Sequence, residues 1–105
     1  MNVVSLVNNA EKYLGQKVTV TGILDRPRKK HSSYVFFNVA SENGNLVQVV
    51  VKKDLLGKER FKELTYGLAH KDIVTVTGSF DLRSSDRTDF ADYEITAEAI
   101  SKEVG

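Results

Sequence analysis

The pentapeptide Val-Thr-Val-Thr-Gly occurs twice in the chain, at Val18–Gly22 and at Val74–Gly78. In each copy valine alternates with threonine, which is the pattern of a strand with one buried and one polar face. A glycine inside a strand is tolerated where the strand bends sharply or another backbone approaches closely. Two long strands that each bend at a glycine are typical of a small barrel. The flanking segments differ, so the chain is not a repeat protein.

The remaining segments predict three more strands and two helices. Alternation predicts strands at Lys17–Asp25, twice within Ser33–Lys53, at Asp72–Leu82 and at Tyr93–Ile100. Helical spacing predicts helices at Val3–Leu14 and after Asp54, which could cap the second one. We therefore predict an all-β fold with short helices. It is a five-stranded OB-fold Greek-key barrel with an N-terminal helix and a helix between strands 3 and 4.

The hairpin within Ser33–Lys53 carries the main functional signal. Valine and phenylalanine fill one face, which is the natural core: Val35, Phe37, Val39, Val47, Val49 and Val51. The opposite face carries Tyr34, Phe36 and Gln48, where a solvated hairpin would carry small polar or charged residues. An aromatic ring beside an amide is a means of holding an unstacked base. Two alternatives remain: Phe36 packs under the N-terminal helix, or Tyr34 forms only a cross-strand pair.

Charged residues predict further contacts around this face. The one dense basic run contains Arg26, Arg28, Lys29 and Lys30. Pro27 within it predicts that the first strand ends or bends there, so we expect these cations on a loop beside the hairpin. Arg83 follows the fourth strand and Glu94 lies on the fifth, at the other loop that OB-folds use for ligands. The alternative for the basic run is a solvated loop tip without a ligand.

Composition excludes several classes of protein. At 105 residues, the chain is expected to form one domain, 1–105. The outer face of the hairpin and the basic run predict that this domain binds nucleic acid. It has no cysteine and no apolar run of the ~20 residues that a membrane helix needs, so we expect no membrane partner and a cytoplasmic location. A formal net charge of +1 argues against binding of duplex nucleic acid by bulk charge.

No catalytic site is predicted. The two histidines, His31 and His70, lack a second ligand at metal-binding spacing. The aspartates Asp86, Asp89 and Asp92 lack the glycine and terminal glutamate of a calcium loop. We therefore expect neither an enzyme, nor a cofactor, nor a metal.

Four segments in this order resemble a known family: GQKVTVTGILDRPRKK, YVFFNVASENGNLVQVVV, DIVTVTGSFDLRS and YEITAEAI. They are similar to the N-terminal anticodon-binding domain of aspartyl-type class II aminoacyl-tRNA synthetases, which asparaginyl and lysyl enzymes share. The resemblance runs from about Gly15 to Ile100 and includes no catalytic domain. It leaves open a separate catalytic subunit or domain as a partner, and both an excised domain and a free-standing protein.

The resemblance implies roles for individual residues. It implies that Phe36 stacks on the central anticodon uridine and that Gln48 hydrogen-bonds the same base. It also implies contacts from Arg28, with Arg26 matching as well, and from Arg83 and Glu94. The chain departs from the family pattern at Ile23, Pro27 and Asp81.

The expected partner is tRNA or another single-stranded nucleic acid. Two alternatives to anticodon recognition stay open at this point: a single-stranded DNA module of replication or repair, and a barrel that binds protein.

Overall fold

The computed structural model describes residues 1–30, 34–42, 44–67, 69, 71–82 and 93–103, without the side chains of 26–30 and 64–66. Four helices and five strands lie within these residues. The helices are α1 (Val3–Asn8), α2 (Ala10–Tyr13), α3 (Lys53–Leu56) and α4 (Lys58–Gly67). The strands are β1 (Lys17–Lys30), β2 (Tyr34–Ala40), β3 (Leu46–Lys52), β4 (Ile73–Leu82) and β5 (Tyr93–Lys102).

The five strands close into a barrel in the order β1-β2-β3-β5-β4. Four of the pairings are antiparallel. The fifth, between β3 and β5, is parallel and closes the barrel. Helices α3 and α4 occupy the connection between β3 and β4. The predicted fold class, including its N-terminal helical segment, is confirmed.

The two pentapeptides are cross-strand partners. They pair antiparallel about a centre at Val20 and Val76, so that Val18 lies opposite Gly78 and Gly22 opposite Val74. A Cβ atom at Gly22 would lie 2.5 Å from a methyl carbon of Val39. A Cβ atom at Gly78 would clash with the backbone carbonyl of Thr96. Each glycine therefore allows a neighbouring segment to approach more closely than any side chain would permit.

Alternate residues of the strands fill the barrel interior, and on β5 this alternation shifts by one residue between Ala97 and Ile100. On the hairpin, the face predicted as core is buried, with Phe37 at 3% exposure and Val39 and Val49 at 0%. The turn between β2 and β3 has Gly44 at φ 88°, a positive value that glycine adopts readily. The opposite face of the hairpin is thereby directed outward. The core contains Val3, Leu6, Ala10, Val18, Val20, Leu24, Val35, Phe37, Val39, Val47, Val49, Val51, Phe61, Val74, Val76, Phe80, Ile95, Ala97 and Ile100.

The N-terminal segment forms two helices where the sequence predicts one. Asn2 caps α1, since its side-chain oxygen accepts a hydrogen bond of 2.8 Å from the Ser5 amide. The helix then breaks at Asn9, whose φ of −119° and ψ of 29° are not helical. Asparagine favours such a break because its side chain competes for nearby backbone groups, and the Asn9 side chain donates to the Ser5 carbonyl. Val3 and Leu6 are fully buried, so α1 contributes to the core.

The prediction that Asp54 caps a helix is wrong. Helix α3 begins at Lys53, after Lys52, with no side-chain cap. It ends at Gly57, whose φ of 88° and ψ of 153° are accessible in practice only to glycine. The longer helix, α4, starts after this residue and buries Phe61. The spacing of leucines obscured the break, which Gly57 itself marks.

The prediction that the basic run forms a loop is also wrong. β1 continues through this run as far as Lys30, and Lys29 and Lys30 pair with Phe36 and Val35 of β2. The register shifts between Asp25 and Lys29, which is where Pro27 lies. Because proline has no amide hydrogen, it interrupts the ladder locally. The ladder resumes beyond it because β2 is long enough to pair with both parts.

Candidate nucleic-acid interface

The outer face of β2 carries the two aromatic residues that the sequence singles out. Tyr34 is 36% exposed and Phe36 is half-buried. Their rings stack with centroids 5.9 Å apart and planes inclined by 19°. This is an offset-stacked pair, so Tyr34 does form an aromatic pair, along the strand rather than across it. Phe36 is not fully buried, in contrast to the residues of the core.

Gln48 lies diagonally from Phe36 rather than directly opposite. The residue opposite Phe36 on β3 is Val50, whereas Gln48 pairs with Asn38 of β2 and with Glu94 of β5. Diagonal neighbours on one face of a sheet remain about 7–8 Å apart between Cα atoms, within reach of an aromatic ring. The predicted face thus carries both side chains, at diagonal rather than opposite positions. Gln48 and Glu94, predicted separately, are direct neighbours.

A row of polar residues crosses all the strands of the barrel at the level of Gln48. The cross-strand register places its members side by side on the outer face: Asp25, Asn38, Gln48, Glu94 and Asp81. We call this set the polar row. Carboxylates stand at both ends, toward β1 and β4, and the two amides occupy neighbouring positions between them. Carboxylates only accept hydrogen bonds when ionised, whereas an amide both donates and accepts.

Three members of the polar row were not predicted as site residues. Asp25, Asn38 and Asp81 each follow or precede a buried residue, so alternation alone places them on the outer face. Alternation does not show which of them reach the level of Gln48. That depends on the register shift in β1 and on the parallel pairing of β3 with β5.

Asn38 differs from its neighbours in burial. It is 8% exposed and is the one polar residue among the buried residues that the structure describes. Its side chain makes no hydrogen bond to another described residue. A buried amide without a partner is uncommon, because it costs free energy on folding. The polar row therefore contains an amide that no group in the described part of the chain satisfies.

The basic run adjoins the aromatic pair through the backbone of β1. Lys29 pairs directly with Phe36, so the backbone of the run lies beside β2. Arg26, Arg28 and Lys30 belong to the same stretch of strand. The side chains of these four residues lie outside what the structure describes.

Several predicted residues cannot be placed. Arg83, His31, His70 and the aspartates 86, 89 and 92 lie outside the described residues. Within the part of the chain that is described, no group of three or more metal-ligating side chains could hold an ion. No helix among the described residues has the length and hydropathy of a membrane span.

A closed barrel with this strand order and a helix after the third strand defines the OB-fold class. Solved structures share this architecture. The aspartyl-tRNA synthetase of Leishmania major Friedlin matches with a TM-score of 0.81 and 16% identity, over 97% of this chain and 20% of that chain. The asparaginyl-tRNA synthetase of Pyrococcus horikoshii, complexed with asparaginyl-adenylate, matches with a TM-score of 0.68 and 23% identity, over 87% and 20%.

A third match is a protein of similar size. OBody AM3L09, bound to hen egg-white lysozyme, has a TM-score of 0.70 and 22% identity, over 87% of this chain and 84% of that chain. The present chain thus spans about a fifth of the two synthetases and most of the OBody. At these identities the likeness is one of fold. No family model and no curated protein matches the chain.

Proposed function

We propose that this chain is a non-catalytic module that binds single-stranded nucleic acid, with a tRNA anticodon loop as its ligand. The observation that carries the proposal is the stacked pair of Tyr34 and Phe36 on the outer face of β2, diagonal to Gln48. OB-folds bind oligonucleotides across strands 2 and 3, and this pair and Gln48 lie on those strands.

The chemistry of the face suits an unpaired base. Stacking of a base on an aromatic ring contributes roughly 1–3 kcal/mol and tolerates any base. The amides of the polar row can distinguish donors from acceptors on a base edge. The basic run would contact phosphates, since its backbone adjoins Phe36 through Lys29. Different residues of the chain are thus candidates for base stacking, for base selection and for neutralisation of the phosphates.

The choice of tRNA rests on the resemblance and on the fold neighbours. Two proteins with this fold are aminoacyl-tRNA synthetases, in which the matching part is about a fifth of the chain. In the proposal Phe36 stacks on the central base and Gln48 hydrogen-bonds it, with Arg26, Arg28, Lys29, Lys30, Tyr34, Arg83 and Glu94 around them. A catalytic domain or subunit, if the module serves one, would be supplied separately.

The test is a titration of the chain with three probes. They are an anticodon stem-loop with a central uridine, the same loop with a central adenine, and oligo-dT. We expect the uridine loop to bind most tightly. Phe36→Ala should weaken this binding by roughly 1–3 kcal/mol because the base no longer stacks on a ring, with the fold retained in circular dichroism.

The matched control is Leu55→Ala. Leu55 is a 52% exposed apolar residue of α3, and its removal should leave affinity unchanged. Equal affinity of the wild type for all three probes would contradict anticodon recognition, and tighter binding of oligo-dT would favour a single-stranded DNA module. Unfolding of Phe36→Ala would assign this residue to the core.

Protein binding is the second candidate. It is favoured by one observation, that OBody AM3L09, which has the same fold and nearly the same size, is bound to lysozyme. An absence of binding to all three probes at ~50 mM salt, where phosphate contacts are strong, would favour it.

A further inference from the structure

Asn38 is a buried polar residue that the described part of the chain leaves without a hydrogen bond to its side chain. Its side chain is 8% exposed and makes no hydrogen bond to another described residue. Leucine has the same branched shape and would occupy the position without an unsatisfied polar group. An amide at such a position calls for a hydrogen-bond partner beyond the described residues. A ligand that supplies the missing hydrogen bonds is one.

The position of Asn38 indicates where such a ligand would lie. Tyr34 precedes Phe36 on the same face of β2, so its ring covers the side of Phe36 toward the start of the strand. Asn38 follows Phe36 by two residues on this face, about 6.5 Å further along the strand. A base that extends the stack of Tyr34 and Phe36 would therefore lie toward Asn38.

The neighbours of Asn38 suit the edge of such a base. Gln48 lies opposite it on β3 and Asp25 opposite it on β1. Every nucleobase has a hydrogen-bond donor next to an acceptor on its pairing edge. One carboxamide, which has an acceptor next to a donor, can bind such a pair with two hydrogen bonds. Two carboxamides side by side can bind the whole edge. Asp25 adds an acceptor for an amino group.

We infer that Asn38 is a specificity-determining residue, which hydrogen-bonds the pairing edge of the unpaired base that stacks on Phe36. Gln48 shares this edge with it. The inference rests on the proposed function, and it adds a residue that neither the sequence pattern nor the resemblance singles out. Binding of the base supplies the partners that the buried amide lacks among the described residues of the unbound chain.

The experiment compares Asn38→Leu with the wild type, using four anticodon stem-loops that differ only in the central base. We expect the ratio between the tightest and the weakest of the four affinities to fall about tenfold. The slope of affinity against salt should not change, because phosphate contacts remain. The urea midpoint of the free variant should equal or exceed that of the wild type, since an unsatisfied amide has been removed.

Asn8→Leu is the control, because Asn8 is an exposed asparagine at the end of α1. It should leave the affinity ratio unchanged. If Asn38→Leu does not fold, Asn38→Asp keeps the shape and removes the donors, and it should shift preference toward bases that present amino groups.

The outcomes separate this inference from the proposed function. If the wild type binds with a base preference that Asn38→Leu and Asn38→Asp both retain, only the role of Asn38 is overturned. If Asn38→Leu lowers the urea midpoint and leaves the affinity ratio unchanged, the role of Asn38 in base selection is likewise overturned. Asn38 would then be a structural residue. If the wild type binds none of the four loops, both proposals fail.

Discussion

Gly78 shows how one missing side chain shapes the barrel. A Cβ atom there would clash with the Thr96 carbonyl of β5, and the register between β4 and β5 shifts between Thr77 and Gly78. At Gly22 the obstruction comes mainly from the side chains of Val39 and Val3, which can move more easily than a backbone. The two glycines of the repeated pentapeptide therefore differ in how strictly they are required.

We expect Gly78→Ala to lower the free energy of unfolding by about 3 kcal/mol, because β5 must be displaced. Gly22→Ala should cost less. The control is Gly67→Ala at the end of α4, where nothing lies within 4 Å and alanine is the better helix former by up to ~1 kcal/mol. Urea unfolding measures all three variants. Equal losses for Gly78→Ala and Gly67→Ala would show that the backbone approach at Gly78 is not tight.

Individual site residues were predictable to the extent that alternation determines them. Phe36 and Gln48 could be placed on one outer face because their neighbours in sequence are valines and phenylalanine. The burial of Asn38 could not, because it depends on what lies across the sheet from it. Its cross-strand neighbours, Asp25 and Gln48, come from strands whose register no local pattern fixes.

The ribbon formed by β1 and β4 joins the two pentapeptides through their side chains as well. On its outer face the hydroxyl oxygens of Thr19 and Thr77 are 2.9 Å apart, as are those of Thr21 and Thr75. Threonine thus pairs with threonine in both positions. The valines between them face the core.

A double-mutant cycle with Thr21→Val and Thr75→Val should give a coupling of about 0.5 kcal/mol, because both partners of one hydrogen bond are removed. The cycle is measured by urea unfolding. Thr21→Val combined with Thr77→Val is the control, since these two residues are diagonal and should be nearly additive. Equal coupling in both cycles would mean that the hydroxyl pair contributes nothing specific.

The sequence predicts which strands and helices are present more accurately than it predicts where they begin and end. Each predicted strand is present, but β1 extends to Lys30 because β2 supplies a partner beyond Pro27. The predicted helices are each divided, at Asn9 and at Gly57, by residues with non-helical backbone angles. Local signals mark both breaks, yet apolar spacing on either side outweighs them when the sequence is considered alone.

Acidic and basic residues occupy different positions along the strands of the barrel. The net charge of +1 conceals a polar row with three carboxylates and, next to its β1 end, a run with four cations. A nucleic acid bound along β2 and β3 would place its phosphates near the basic run and its bases near the amides. We therefore expect only a few phosphates to be neutralised on binding, and this number sets how steeply the affinity for single strands falls with salt.

Replacement of Lys29 and Lys30 by alanine should reduce the slope of log affinity against log salt by about 0.7 for each phosphate that is no longer neutralised. Base preference should not change. Lys58 and Lys62, exposed on α4, provide a control pair whose replacement should leave the slope unaltered. The measurement is a salt series of titrations with the uridine loop. An altered base preference would contradict a role confined to phosphates.

The pairing of the two pentapeptides has a consequence for anyone who links copies of this barrel in tandem. Val18–Gly22 and Val74–Gly78 have the same sequence and pair antiparallel about a local two-fold centre. The β1 strands of two adjacent copies could therefore pair with each other through the same five residues, in the same antiparallel order, as β1 and β4 do within one copy. A short flexible linker gives the foreign strand an effective concentration on the order of millimolar. We therefore expect β1 of a neighbouring copy to compete with β4 for this pairing, and linker length should set how often it does so.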